Sequence, residues 1–194
     1  MTATARIPDR TIHASAVKVG DTAVLIRGPS GSGKSRLAFD LMLAGRAGQL
    51  PPAVLVGDDR VHLARRDDRL MVRPPPALAG LIEIRGLGIR RCDHVADAVV
   101  GLVVDLDAAD AGRLPVPESL VIELFGFMLP RIPVAAGFHA LPLVAGFMTT
   151  TDARNDAAMP PDCRKEFGNH IEPTIATKST RSGSPHCGKN RGEF

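Results

Sequence analysis

The sequence predicts an α/β fold built on a mixed sheet with flanking helices and hairpin additions. An apolar run at residues 23–26 passes through a glycine-rich turn into a helical pattern, and short strand-like runs elsewhere are separated by tight turns. The chain has 194 residues and is 44% apolar, which is enough to bury one principal core.

The chain is expected to open with a hairpin. Residues 11–19 alternate in the way that suits one strand, and Gly20 and Asp21 supply a tight turn. Residues 22–27 form a second predicted strand, which leads directly into the glycine-rich turn.

The first helix is predicted over about residues 34–44, where apolar side chains recur at helical spacing. It is expected to end near Gly45 or Gly48, because two prolines at 51 and 52 prevent its continuation. The apolar run at 53–56 is then predicted to be a short buried strand.

Shorter runs predict the remaining strands. A second hairpin is expected from residues 61–64 and 70–73, with the charged residues 65–69 as a solvated turn at its tip. Further strands, with mostly helical spacing between them, are expected at residues 81–85, 98–106 and 120–125.

The glycine-rich turn has the pattern of a phosphate-binding loop. Its residues are Gly28, Pro29, Ser30, Gly31, Ser32, Gly33, Lys34 and Ser35. Glycines let successive backbone N–H groups turn toward phosphate oxygens, and the helix that follows adds the positive end of its dipole. Lys34 would reach the β- and γ-phosphates and Ser35 would enter the Mg²⁺ shell. The loop predicts nucleotide binding, although Gly/Ser turns also occur by chance, and it does not identify the phosphate acceptor.

Three carboxylates are candidates for the remaining chemistry. Asp58 and Asp59 follow a predicted buried strand, where an α/β sheet opens its ligand crevice, and such a pair can divide metal and base roles. Aspartates in this position are also common as turn residues. Glu83 and Arg85 lie two apart in an apolar strand, either as a carboxylate that needs a cationic partner or as a solvent-facing pair.

The string at residues 81–89, LIEIRGLGI, resembles the signature of the HPr kinase/phosphorylases. Ile12 with His13, the loop at 28–35, and the run Asp58-Asp59-Arg60-Val61 agree with that family in the same order. The resemblance covers about residues 11–145 and corresponds to the catalytic domain, so residues 1–148 are expected to form a P-loop kinase-like domain. The family's separate N-terminal domain is expected to be missing, as in the short forms of some proteobacteria.

The resemblance implies a regulatory enzyme of the phosphotransferase system, which uses ATP and Mg²⁺ to phosphorylate a serine of the carrier protein HPr and reverses this by phosphorolysis. It assigns ATP binding to residues 28–35, catalysis to His13, Lys34, Asp58, Asp59 and Arg113, and Mg²⁺ binding to Ser35 and Glu83. Asp59, with Asp58 beside it, would be the base, and the choice between the two stays open. Arg113 also fits a solvated loop arginine. The family usually forms hexamers, so a homo-oligomer is expected.

Two segments depart from the family pattern. Residues 133–138 carry no arginine, whereas the long forms have a Pro-Val motif followed by arginines and a glycine that supports phosphorolysis, so the sequence leaves the reverse reaction open. Residues 149–194 are polar, do not resemble the family's last helices, and are expected to be a largely disordered tail.

Composition argues against several other classes of function. With 4% aromatic residues and a net charge of +3, the chain lacks the stacking surface of a protein that binds single-stranded nucleic acid. No apolar run is long enough to span a bilayer and the first nine residues lack a signal-peptide layout, so a cytoplasmic protein without a membrane partner is expected. The alternatives that remain are a P-loop kinase for a small molecule and a nucleotide-binding sensor with impaired catalysis.

Overall fold

A computed structural model describes residues 10–152 of the chain. The strands in this range are β1 Arg10–Ile12, β2 Ser15–Val19, β3 Thr22–Arg27, β4 Ala53–Gly57, β5 Val61–Arg66, β6 Arg69–Arg73, β7 Leu81–Ile84, β8 Gly88–Arg91, β9 Ala98–Leu106, β10 Val121–Leu124 and β11 Phe127–Val134. The α-helices are α1 Lys34–Arg46 and α2 Ala140–Thr149. Short 3-10 turns lie at Pro76–Leu78 and Pro117–Leu120.

Nine of these strands form one mixed sheet, in the order β1-β5-β6-β9-β3-β2-β4, with β11 and β10 added beside β9. Strand β9 runs parallel to β3 and to β11, whereas β2 is antiparallel to both β3 and β4. Strand β4 therefore points in the same direction as β3. The carboxyl ends of β3, β4, β9 and β11 all lie at one edge of the sheet, which is where an α/β sheet places its ligands.

The sheet separates two apolar clusters because successive side chains on a strand point to opposite faces. On β3, Val24 and Ile26 pack with the buried side of α1, whereas Ala23 and Leu25 belong to the other cluster. The first cluster also takes in Val144 of α2. Both helices thus cover the same face of the sheet, next to the edge where β3 ends.

The sequence predicted the fold class, the first turn and the first helix correctly. Strand β2 and strand β3 pair around Gly20, and the predicted helix extends two residues further, to Arg46. Residues 11–19, however, are not one strand. Strand β1 pairs with β5 at one end of the sheet and β2 pairs with β3 and β4 near the other, so the chain changes partners at His13 and Ala14.

The charged turn of the second hairpin is much shorter than predicted. Strand β5 ends at Arg66 and strand β6 begins at Arg69, which leaves Asp67 and Asp68 as the turn. Arg65 lies over the ring of Phe127, with 5.0 Å between its guanidinium carbon and the ring centre. These arginines remain in strand conformation because the cross-strand ladder satisfies their backbone groups.

The prediction of mostly helical segments between the strands of residues 81–125 is wrong. Strands β7 and β8 form a separate two-stranded hairpin, and the chain from 107 to 120 consists of bends and one 3-10 turn. Strand β11 and helix α2 were not predicted. The periodicity of these short segments was ambiguous, and only their pairing with β9 and packing on α1 determines their conformation.

Within residues 10–152, no helix is both long and apolar enough to cross a membrane. The polar segment predicted at 149–194 lies outside the described residues apart from 149–152, and Thr149 is the last residue of α2.

Candidate active site

The loop at residues 28–35 connects β3 to α1 and leaves open space above its backbone. Gly31 and Gly33 have φ angles of 81° and 99°, and a Cβ built on either would meet nothing within 4 Å. Gly33 is the N-cap of α1, and no side chain caps the helix there. The N–H groups of the first helical turn are therefore free to bind an anion, which the helix dipole also favours.

Gly28 lets the loop approach the end of β9 closely. Its φ angle is 147°, and a Cβ at this position would lie 2.7 Å from Ser32 Oγ and 2.9 Å from the carbonyl oxygen of Leu106. A larger residue would push the loop away from the strand, so glycine determines the path of the loop across the sheet edge.

Lys34, the first residue of α1, is buried beneath the loop. Its Nζ donates hydrogen bonds to the carbonyl oxygens of Gly28 at 3.0 Å and Pro29 at 2.7 Å. Burial lowers the pKa of Lys34, and the carboxylates of Asp58 and Asp59 partly offset this effect. An ammonium held under glycine-rich backbone is the arrangement that binds the outer phosphates of a nucleotide.

A cavity of about 590 Å³ brings most of the predicted site residues together. Those that line it are His13, Ser30, Gly31, Gly33, Lys34, Ser35, Asp59 and Glu83. They come from four separate parts of the chain. They meet because β3 and β4 end at the same edge of the sheet and the β7–β8 hairpin lies beside α1.

Asp58 is buried below the cavity and does not line it. Its Oδ1 accepts a hydrogen bond from Ser15 Oγ at 2.5 Å, and its Oδ2 accepts one from the Glu83 backbone N–H at 3.0 Å. Both carboxylate oxygens therefore bind groups of the chain itself. Asp58 joins the end of β4 to the start of β2 and to the hairpin that carries Glu83.

Asp59 faces the cavity and is 65% exposed. Its Oδ1 lies 3.5 Å from the Nε2 of His13. Its φ angle is 63°, within a tight turn in which the Arg60 N–H donates to the Asp58 carbonyl oxygen. Aspartate is among the few residues that adopt this left-handed conformation at modest cost, and backbone strain of this kind is concentrated at functional sites.

Glu83 is exposed at its side chain while Ile82 beside it is buried, so the carboxylate points away from the core. This matches the solvent-facing alternative for Glu83 and Arg85, except that both residues line the same cavity as Lys34. Ser35 lies in that lining as well. One hydroxyl and one carboxylate fit Mg²⁺, which commonly uses one or two carboxylates together with phosphate oxygens. Among residues 10–152, no group of three or more His, Cys, Asp or Glu side chains is placed to hold a metal without other ligands.

Arg113 is exposed in the bend after β9, and it lines neither this cavity nor a second one on the far side of the loop. The described structure therefore does not bring Arg113 together with the other predicted catalytic residues.

Sequence reasoning did not single out several residues of the site. Arg36, Phe39 and Asp40 of α1 line the cavity. Phe39 follows Ser35 by four residues and Asp40 follows Arg36 by four, which is the spacing of neighbours on a helix face and was a usable signal. Ser15 left no such signal, because its hydrogen bond to Asp58 depends on the pairing of β2 with β4.

A network of ion pairs beneath the loop was also missed. The Nε and Nη2 of Arg27 donate to the two carboxylate oxygens of Asp105, each at 2.7 Å. Arg131 Nε donates to the same carboxylate at 2.6 Å and also pairs with Asp110. Burial alone would raise the pKa of Asp105, but the hydrogen bonds from the two arginines outweigh it and lower the pKa. The network connects β3, β9 and β11 one residue before the loop begins.

Comparison with known proteins agrees with this geometry. Residues 6–96 match the family model described as the HPr Serine kinase C-terminal domain. The chain is 37% identical over 147 residues to the HPr kinase/phosphorylase of Enterococcus faecalis, covering 68% of this chain and 45% of that protein. It is 39% identical over 82 residues to the HPr kinase/phosphorylase of Mycoplasma mycoides, covering 42% of this chain and 24% of that protein.

The solved structure of the Hpr(Ser) kinase/phosphatase from Coxiella burnetii is similar to this chain with a TM-score of 0.57 and 26% identity, covering 76% of this chain and 95% of that one. The chain spans less than half the length of the two curated relatives. The family model, the relatives and the solved structure all identify the same family. The chain therefore belongs to the HPr kinase/phosphorylase family, through an HPr serine kinase C-terminal domain.

Proposed function

We propose that the protein is an ATP- and Mg²⁺-dependent kinase that phosphorylates a serine of the carrier protein HPr, as a regulator of the phosphotransferase system. One observation carries the proposal: Lys34 and Ser35 of the phosphate-binding loop line the same cavity as Asp59, His13 and Glu83. This cavity combines a phosphate cradle, an exposed carboxylate base and an oxygen ligand set for Mg²⁺. Relatives named HPr kinase/phosphorylase support HPr as the acceptor.

In this proposal the loop N–H groups and Lys34 hold the phosphate chain of ATP, and Lys34 exchanges its two carbonyl acceptors for phosphate oxygens. The serine oxygen of HPr forms a bond to the γ-phosphorus, and the bond from that phosphorus to the bridging oxygen breaks, which releases ADP. Asp59 accepts the proton that the serine hydroxyl loses in this step. Bound Mg²⁺ would neutralise negative charge on the phosphate oxygens, with Ser35 and Glu83 as the residues that hold it. Positioning of these groups accounts for most of the rate enhancement in phosphoryl transfer.

Burial and hydrogen bonding favour Asp59 over Asp58 as the base. Asp58 is 3% exposed and both of its carboxylate oxygens already accept hydrogen bonds from the chain. Asp59 is exposed to the cavity, and His13 lies close enough to orient its carboxylate. A base must reach the hydroxyl of a second protein, which only the exposed carboxylate of the pair can do.

The reverse reaction would use inorganic phosphate at the same loop. Residues 133–138 carry no arginine, and four of them line the cavity on the far side of the loop, so the forward reaction is proposed as the main one. Incubating phosphorylated HPr with phosphate and following pyrophosphate release would measure the reverse rate separately.

A homo-oligomer, a hexamer by family resemblance, and a cytoplasmic location belong to the same proposal. Leu87 and Ile89 of the β7–β8 hairpin are 61% and 72% exposed, which supports an assembly that covers them. Light scattering on the full chain would give the number of subunits.

The central experiment is to incubate the full chain with ATP, Mg²⁺ and purified HPr, and to detect phosphoserine on HPr by mass spectrometry. An HPr variant whose target serine is replaced by alanine is the control. The proposal requires phosphoserine on HPr that depends on Mg²⁺ and is absent from the control. Intact ATP binding without phosphoserine would contradict it.

A further inference from the structure

A second cavity, of about 190 Å³, lies on the other side of the first turn of α1. Gly33, Arg36 and Asp40 border both cavities, so the two flank the same loop and helix. The second cavity opens where β9 and β11 end, at Leu106 and Val134, and where α2 begins. We propose that it binds the base of the nucleotide whose phosphates the loop holds, an inference that rests on the proposed nucleotide binding.

The direction of the phosphate chain supports this assignment. The reacting end of the nucleotide must lie near Asp59 and Glu83, which line only the larger cavity. The base is at the opposite end of the molecule, and the chain of phosphates between them crosses the loop. Ser32 and Gly33 of that loop line the second cavity, which places the cavity where the nucleoside would leave the loop.

Part of the lining of the second cavity is apolar and suits an uncharged aromatic ring. Leu37, Leu106, Val134 and Leu141 supply apolar surface. Phe138 lines the cavity and is 69% exposed, so most of its surface is accessible to a stacking partner. The volume is below the roughly 300–1,000 Å³ of pockets that enclose a whole drug-sized ligand, and it therefore suits one part of a nucleotide.

The polar side chains of the lining are Ser32, Arg36, Asp40, Asp107 and His139, and two of them can form hydrogen bonds with a nucleoside. The Asp107 carboxylate accepts hydrogen bonds and repels phosphate, so it favours ribose hydroxyl or amino donors. The Oγ of Ser32 is buried without a hydrogen-bond partner among the described residues. A buried hydroxyl without a partner is rare, and a ligand in this cavity would supply one.

The segment at 133–138 acquires a role from this placement. Val134, Ala135, Gly137 and Phe138 belong to it and line the cavity, and none of them carries a charge. A segment of this composition cannot neutralise an anion, but it can cover the face of a base. The lack of arginine here, which also disfavours the reverse reaction, suits a nucleoside site.

The test compares ADP with inorganic pyrophosphate, because the two share a diphosphate and differ in the nucleoside. Binding of each, with Mg²⁺, is measured by titration calorimetry for the full chain, for Phe138→Ala and for the control Phe147→Ala. Phe147 lies on α2, is 49% exposed and does not line the cavity. Phe138→Ala should weaken ADP binding about 5- to 150-fold, the range for loss of one base–aromatic stack, and leave pyrophosphate binding unchanged.

A second variant, Ala135→Leu, fills the cavity and should weaken ADP binding while leaving pyrophosphate binding unchanged. If both ligands weaken equally, or if ADP binding is the same in all variants, the cavity does not hold the base. A selective loss of ADP binding in a protein that does not phosphorylate HPr would support the base site and contradict the proposed acceptor. Failure of the unaltered chain to bind either ligand would contradict both proposals.

Discussion

The backbone N–H of Glu83 donates a hydrogen bond to Oδ2 of Asp58 at 3.0 Å, and this contact attaches the β7–β8 hairpin to the end of β4. The other oxygen of Asp58 accepts a hydrogen bond from Ser15. Asp58 and Asp59 are adjacent in the chain but differ in what they contact, since only Asp59 faces the cavity. Asp58 therefore holds the backbone of Glu83 at the end of β4, whereas the carboxylate of Asp59 is exposed to the cavity beside His13.

Asp58→Asn should lower the free energy of unfolding by about 1–3 kcal/mol. Ser15 and the Glu83 backbone both donate hydrogen bonds to Asp58, and the NH₂ group of asparagine cannot accept either of them. Urea denaturation measures this value. Asp59→Asn is the matched control, and it should change stability by less than about 0.5 kcal/mol because this side chain is exposed. Equal effects of the two substitutions would contradict the structural role of Asp58.

Asp59→Asn should reduce the rate of HPr phosphorylation about 10²- to 10⁴-fold, the usual contribution of a general base, with ATP affinity unchanged. Asparagine tolerates the left-handed backbone at this position, so the substitution removes the charge without distorting the turn. The initial rate at saturating ATP and HPr is the measurement. An unchanged rate would show that another group accepts the proton.

Lys34→Met should abolish most of the nucleotide affinity, because it removes the cation that reaches the phosphates. Its effect on the unfolding of the nucleotide-free protein should depend on pH. Burial lowers the pKa of Lys34, so between that lowered pKa and the ordinary lysine value the unfolded chain binds the additional proton. The stability of the unaltered protein relative to Lys34→Met should therefore rise as the pH is raised from about 7 to about 10. Urea denaturation of both proteins at the two pH values measures this difference in the free energy of unfolding. A difference that is the same at both pH values would contradict the lowered pKa.

Asp105→Asn should destabilise the protein by about 1.5–3 kcal/mol at neutral pH, because it removes the carboxylate that two half-buried arginines share, while Arg131 keeps its pairing with Asp110. The pKa of Asp105 is lowered in the folded state, so its contribution is complete above the ordinary aspartate pKa and is lost as the pH falls through the folded value. The difference between variant and unaltered protein should accordingly shrink below about pH 4.

Asp97→Asn provides the comparison for this prediction. Asp97 pairs with Arg66 at 3.5 Å, but the two side chains are 40% and 67% exposed. Such surface pairs contribute about 0–1 kcal/mol, so its loss should be small at every pH. If Asp105→Asn has an equally small effect, the half-buried network around Asp105 does not stabilise the sheet edge.

Local patterns in the chain were sufficient to predict the loop at 28–35, the hairpin around Gly20 and helix α1. Each depends on residues that are close in sequence, where turn chemistry and helical spacing act directly. Strand β11 and helix α2 were missed for the opposite reason. Their short apolar segments fit more than one conformation, and pairing with β9 and packing against α1 selected the observed one.

The residue types of the site were readable from the chain alone, because a phosphate cradle, a metal ligand and a base each require a particular side chain. The difference in surroundings between Asp58 and Asp59 was not readable. It depends on Ser15 and Glu83, which lie 43 and 25 residues from Asp58 along the chain. The ion pairs of Asp105 with Arg27 and Arg131 likewise depend on strands that meet only in the folded sheet. Such contacts are decided by strand order and register, which act between distant residues and leave no local pattern.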